Sequence, residues 1–167
     1  MRLVICFVLP CLSLGAVAQV GAPTSSAVTL SAEVQRDQEL HTRSIRIVQS
    51  EQARAKQPLC PKAMTTLAIN ECYSAELGIT DANYLRLVRA LGALLRSGED
   101  DKNMTTAIPF DIAEAAWHNY RDLECKAAGD EYAGGTIRPS IEMSCRLTLT
   151  RHHIDELWDV YSDLGTH

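Results

Sequence analysis

The chain has 167 residues, with 16 Lys and Arg against 21 Asp and Glu, for a formal net charge of −5. That length suits a single domain. The acidic balance argues against nucleic acid, whose binding needs a basic footprint, and suits a cationic protein partner.

Met1-Arg2 is followed by an apolar run from Leu3 to Leu14 and by Gly15-Ala16-Val17-Ala18. One positive charge, a short apolar core and a small-x-small ending have the form of a secretory signal, cleaved after Ala18. The run falls short of the roughly 20 apolar residues a bilayer-spanning helix needs, so no stable membrane insertion is expected after cleavage. Cys11 follows Leu9-Pro10, a poor fit to a lipid-attachment site. The expected location is the periplasm or the exterior. Loss of residues 1–18 lowers the net charge to −6, since Arg2 is the one charged residue that leaves. Cys6 leaves with Cys11, so Cys60, Cys72, Cys125 and Cys145 remain. An even count in an exported chain reads as two disulfides.

Residues 19–57 form a leader in two parts. From Gln19 to Leu30 the residues are small and polar, so a flexible stretch is expected. Ser31 to Lys56 is helix-forming with few large apolar side chains, so the expectation is a loosely docked helix or a segment ordered only by a partner, adding little stability either way. Residues 58–167 make the stapled domain. Met64, Leu67, Ala68, Cys72 and Ala75 fall at helical spacing, and Tyr84, Leu87, Val88, Leu91 and Leu94 resume the stripe. One helix with a weak point at Gly78, or two in series, fits equally. Ser97 to Asn103 reads as a loop whose acids lack the ligand pattern of a calcium site.

Pro109 opens the next helix, with Ile112, Ala116, Tyr120 and Leu123 on one face and Gly129 at its end. A constrained loop carries Gly134, Gly135 and Pro139. The last helix, from Ile141 to Leu164, has its buried stripe at Leu147, Thr150, Ile154, Leu157, Tyr161 and Leu164. The expected fold is all-α: a small disulfide-stapled bundle of three principal helices, with a possible fourth before them. A continuous helix would hold Cys60 and Cys72 far beyond the roughly 7 Å that a disulfide bridges. The expected pairs are therefore Cys60 with Cys125 and Cys72 with Cys145.

Ala116-Trp117-His118-Asn119-Tyr120-Arg121-Asp122-Leu123-Glu124-Cys125, Gly134-Gly135-Thr136-Ile137-Arg138-Pro139 and Cys145-Arg146-Leu147-Thr148-Leu149-Thr150-Arg151 with Leu157 together resemble the LprI-like lysozyme inhibitor family. Cys60 and Glu71-Cys72 match its first cysteine and its Glu-Cys element. The resemblance spans about residues 60–160. In place of the family's Asp-x-x-Leu-Asn-x-x-Tyr element the chain has Asp81-Ala82-Asn83-Tyr84-Leu85-Arg86-Leu87-Val88. The Asp is kept, and the replacements hold the apolar stripe. The resemblance implies a helical binding protein of the cell envelope that inhibits lysozyme, a non-enzyme without cofactor.

Trp117 and Arg121 are four apart on a helix and meet, either as a recognition pair or as a packing contact, and the packing contact is the expected one. Arg151 is expected to act likewise, bonding loop carbonyls or a carboxylate such as Asp122. In Gly134-Gly135-Thr136-Ile137-Arg138 the glycines free the backbone, Thr136 supplies a hydroxyl and Arg138 a planar charged fork. Such a loop suits the two carboxylates of a lysozyme cleft. It serves as readily to reverse the chain between two helices. His152 and Glu156, and His118 and Asp122, lie four apart, short of the three protein ligands of a catalytic zinc. No nucleophile elbow and no phosphate loop is present. The competing reading is a structural or accessory envelope protein whose partner is not an enzyme.

Overall fold

The computed structural model describes residues 25–97 and 106–166, with side chains from Ala32 onward. The expected signal peptide and the acidic run after Ser97 lie outside the described residues.

Four helices follow in order: α1 Ser25–Ala55, α2 Thr66–Ser97, α3 Ala107–Asp130 and α4 Arg138–Tyr161. Each runs antiparallel to the next. Glu51 near the end of α1 meets Thr80 of α2, and His41 nearer its start meets the backbone beyond α4 at Leu164. The end of α3 is bonded to the start of α4 through Cys125–Cys145, and Phe110 at the start of α3 packs on Tyr161 at the end of α4. The parallel pair α2 and α4 forms the centre, with α1 on one side and α3 on the other.

The core is built from Ile47 and Val48 of α1, Tyr84, Leu87, Leu91 and Leu94 of α2, Phe110 of α3, and Ile154 and Leu157 of α4. The stripe read for α4 is the buried one, with Leu147, Thr150, Ile154 and Leu157 inside. In α2 only the second half of the stripe holds. Met64 precedes the helix and Leu67 lies on its first turn, 88% and 68% exposed. The helix passes Gly78 unbroken, anchored on either side by Glu76 and Thr80, which bond to α1. Thr65 caps its start by accepting the backbone N–H of Ala68 at 3.2 Å.

Three expectations are corrected. First, α1 starts at Ser25, within the expected flexible stretch, and it docks: Ser44, Ile47, Val48 and Glu51 are buried along one face. The expectation of a segment adding little to the domain undercounted that face because two of its four members are polar. Second, the α3 face of Ile112, Ala116, Tyr120 and Leu123 points outward, with Ile112 64% and Leu123 60% exposed. The buried side is Phe110, Glu114, Trp117, Arg121 and Cys125, where ionic groups hide the pattern from a reading by apolarity.

Third, the disulfides are Cys60–Cys72 and Cys125–Cys145, with Cα separations of 5.9 and 5.4 Å. The expected long-range pairs do not form. The exclusion of Cys60–Cys72 assumed a continuous helix, whereas α2 begins only at Thr66. Before it the chain folds back through a turn closed by the Ala63 N–H on the Cys60 carbonyl. Cys60 there has φ of 54°, in the left-handed region that non-glycine residues seldom adopt.

Candidate interaction site

The ionic groups between the helices form three nodes. In the first, Glu51 of α1, 2% exposed, accepts from Thr80 Oγ1 at 2.9 Å and Asn83 Nδ2 at 2.5 Å. Arg54 and Arg151 flank it, and both also reach Glu76 of α2, at 2.5 and 3.3 Å. Arg151 therefore pairs with Glu51 and Glu76, where a loop carbonyl or Asp122 was expected. Asp122 instead faces Arg121 at 3.2 Å and Arg146 at 3.8 Å.

In the second node Arg121, 3% exposed, donates to Asp81 of α2 at 2.8 Å and to Thr150 of α4 at 2.9 Å. Its guanidinium carbon lies 5.4 Å from the Trp117 ring centroid. The Asp retained from the family element thus meets the arginine of the Trp-x-x-Tyr-Arg helix. The pair is a packing device that joins three helices.

In the third node Trp117 stacks on His153 with centroids 3.9 Å apart. Nε2 of His153 lies 3.2 Å from Glu114, and Nδ1 lies 3.1 Å from Glu156. Glu114 also accepts the Tyr84 hydroxyl at 2.9 Å. Burial alone would push the His153 imidazole down, but the hydrogen bonds and charges of Glu114 and Glu156 outweigh it and hold its pKa above the ordinary value. Burial, reinforced by Glu114, pushes the Tyr84 phenol well above its ordinary range. Among the described residues no group of three or more His, Cys, Asp or Glu is placed to hold a metal. His118 and Asp122 make only a 3.6 Å contact on the surface.

Both disulfides lie at one end of the bundle, and each spans one loop. Cys60–Cys72 closes the α1–α2 turn and Cys125–Cys145 closes the α3–α4 turn. The α3–α4 loop is exposed at every residue from Glu131 to Ile137. Gly134 takes φ of 82°, open to glycine and strained for other residues, and open space lies beside it. The loop therefore presents Tyr132, the Gly134-Gly135 tip, Thr136 and Ile137 to solvent. Arg138 stands at its foot, and its fork is committed to Asp130 at 2.5 Å and Glu142 at 3.3 Å. Asp130 is held below its ordinary carboxylate range, mainly by the Lys126 hydrogen bond, with Arg138 adding to the effect.

Beside the loop a recess of about 200 Å³ opens between the starts of α2 and α4, lined by Ile69, Tyr73, Ile137 and Ile141 among others. Ser140 on its wall donates to Asn70 of α2. A larger recess of about 440 Å³ runs along α1, lined by Gln35, Gln38, Glu39, Thr42, Arg43 and Arg46, and no buried or bonded side chain converges on it.

Sequence reasoning found the loop and the cysteines, but it missed Glu51, Glu76, Glu114 and His153. The available signal was a carboxylate at a stripe position: Glu51 continues Ser44, Ile47 and Val48, and Glu114 sits between Phe110 and Trp117.

Fold and site together define a disulfide-braced, all-α module with an exposed loop at the braced end. The chain matches the family described as Lysozyme inhibitor LprI over residues 60–157, and it belongs to that family. It is also 30% identical over 111 residues to an uncharacterized protein, R02472, of Rhizobium meliloti (strain 1021), a stretch that takes in 63% of this chain and 80% of the relative. No solved structure matches the chain. The matched region contains α2, α3, both disulfides and nearly all of α4, whereas α1 precedes it. The family takes its name from inhibition of an enzyme, and its partner is a lysozyme. Two disulfides fit an oxidising compartment outside the cytoplasm.

Proposed function

We propose that this chain is exported by its first 18 residues and inhibits a lysozyme in the cell envelope by placing its α3–α4 loop in the active-site cleft. The family match over residues 60–157 carries the reading. The loop supports it. Residues 131–137 are all exposed, a disulfide braces their base, and Gly134 sets a turn that needs no partner to form. Such preorganisation lowers the ordering cost of binding.

A lysozyme cleft works through two carboxylates. The loop tip offers them the Thr136 hydroxyl and backbone N–H groups. Arg138 reaches them by exchanging Asp130 and Glu142 for the enzyme's own acids. Truncating a desolvated charged contact costs about 2–5 kcal/mol, so Arg138→Ala weakens inhibition by at least about thirtyfold while the helical fold persists. Asp130→Asn removes one of the two carboxylates that hold the fork and leaves inhibition intact or stronger.

The test is release of dyed peptidoglycan by a cationic c-type lysozyme, with and without the mature protein. Failure to slow the enzyme at micromolar concentration and low salt overturns the reading in favour of an accessory envelope protein with a non-enzyme partner. Inhibition undiminished in Arg138→Ala keeps the inhibitor and removes this contact.

A further inference from the structure

The outer face of α3 has no role in the fold. Ile108, Ile112, Tyr120 and Leu123 are 58%, 64%, 52% and 60% exposed, and Ala115 and Ala116 between them are exposed as well. At 3.6 residues per turn these six positions fall within an arc of about 140°, directly opposite the buried side of Phe110, Glu114, Trp117, Arg121 and Cys125. The exposed Asn119 falls within the same arc, so the face is apolar around one polar side chain, and exposed apolar surface of this kind marks interaction sites.

The charge of the chain indicates the occupant. Residues 106–166 hold eleven Asp and Glu against five Lys and Arg, a net of −6, whereas residues 25–97 hold seven against nine, a net of +2. The apolar face therefore lies in the strongly acidic half of the molecule. It also leads from Leu123 along α3 toward the exposed α3–α4 loop with its Tyr132 and Ile137.

We infer that the outer face of α3, from Ile108 to Leu123, is the docking surface for a cationic protein partner. It supplies affinity, while the loop beyond it supplies occlusion. A second copy of this chain fits the face poorly, because it would set one −6 half against another. The identity of the partner rests on the inhibitor reading above: the face grips the basic body of a lysozyme outside its cleft.

The test uses the mature chain, residues 19–167, a cationic c-type lysozyme as probe, and calorimetric titration at low salt. The variant is Ile112→Ser with Leu123→Ser, with Tyr120→Ser as an independent second. Neither removes a core contact, so thermal midpoints stay at the wild-type value. The double variant binds lysozyme about thirtyfold or more weakly than wild type. If wild type inhibits and the double variant binds within threefold of it, the face is not the docking surface and the inhibitor reading stands. If wild type does not bind lysozyme at all, the inhibitor reading fails and takes the partner assigned here with it. If the wild-type chain sediments as a dimer that the double variant abolishes, the occupant is a second copy and the proposal is overturned.

Discussion

Arg121 is the side chain with the most at stake. It is 3% exposed and joins Asp81, Thr150, Asp122 and the Trp117 ring, so its removal takes a shared cation from two half-buried carboxylates and a donor from the buried Thr150. Breaking a fully buried pair costs about 3–5 kcal/mol, but Asp81 and Asp122 are each about one-third exposed, so water takes up part of the loss and Arg121→Ala lowers the free energy of unfolding by about 1–3 kcal/mol in urea melts. Arg121→Lys recovers only part of it, because one ammonium cannot meet Asp81 and Thr150, both reached by Nη1, and also Asp122, reached by Nε and Nη2. Arg121→Ala at wild-type stability would show that the node contributes nothing.

His153 makes stability depend on pH. It faces Glu114 and Trp117 of α3, Glu156 of its own helix and the Tyr84 phenol of α2. Its folded pKa lies above the unfolded value near 6.5, so its contribution is complete below about pH 6.5 and is lost as pH rises through the folded pKa. Melting midpoints recorded from pH 6 to 9 therefore fall more steeply for wild type than for His153→Gln. Parallel slopes would remove His153 from the account.

Among the elements, α1 is where a reading by apolar stripes fell short. It predicted a helix with little hold on the domain, because Val34, Leu40, Ile45, Ile47 and Val48 are the sizeable apolar residues it has after Ser31. Its grip comes equally from Glu51, whose partners on α2 and α4 lie 29 to 100 residues away in sequence and are invisible to local pattern. Deleting residues 19–57 exposes the surface under Ile47 and Val48 and leaves Arg151 without Glu51. Each buried aliphatic contributes about 1.5–3 kcal/mol, so the truncated chain melts roughly 10 °C lower or more. An unchanged midpoint would show that α1 docks without stabilising. The α4 stripe, by contrast, was legible because its inward positions are Leu147, Thr150, Ile154 and Leu157, with no ion among them. The α3 stripe was misassigned because its apolar side serves the surface while its inward side carries Glu114 and Arg121. The pairing of the cysteines turned on six residues, Cys60 to Thr65, being a turn where a helix was assumed. Each staple closes a short loop, so replacing Cys60 and Cys72 together by Ser costs about 3 kcal/mol on the chain-entropy estimate, less than a long-range bridge would.

At the scale of the whole molecule the division of charge between the halves sets how a partner arrives. On the proposed inhibitor reading, a cationic enzyme approaching from solution would be drawn to the α3–α4 half and oriented toward the loop and the outer face of α3 before any contact forms. Such steering acts on the association rate, and salt weakens it as the Debye length falls to about 8 Å near physiological ionic strength. Glu124, Glu131 and Asp159 are exposed on this half. Changing all three to the corresponding amides leaves every buried node in place. Stopped-flow measurements with a cationic c-type lysozyme at low salt then show a several-fold slower association rate and an unchanged dissociation rate, since rim charges govern encounter. Changing the exposed Arg43 and Arg89 of the opposite half to Gln does not slow association, because those charges repel the same partner. Equal slowing by both sets would mean that overall charge is irrelevant to encounter and that binding begins somewhere other than the acidic half. A change confined to dissociation would place the three carboxylates inside the contact, under the partner.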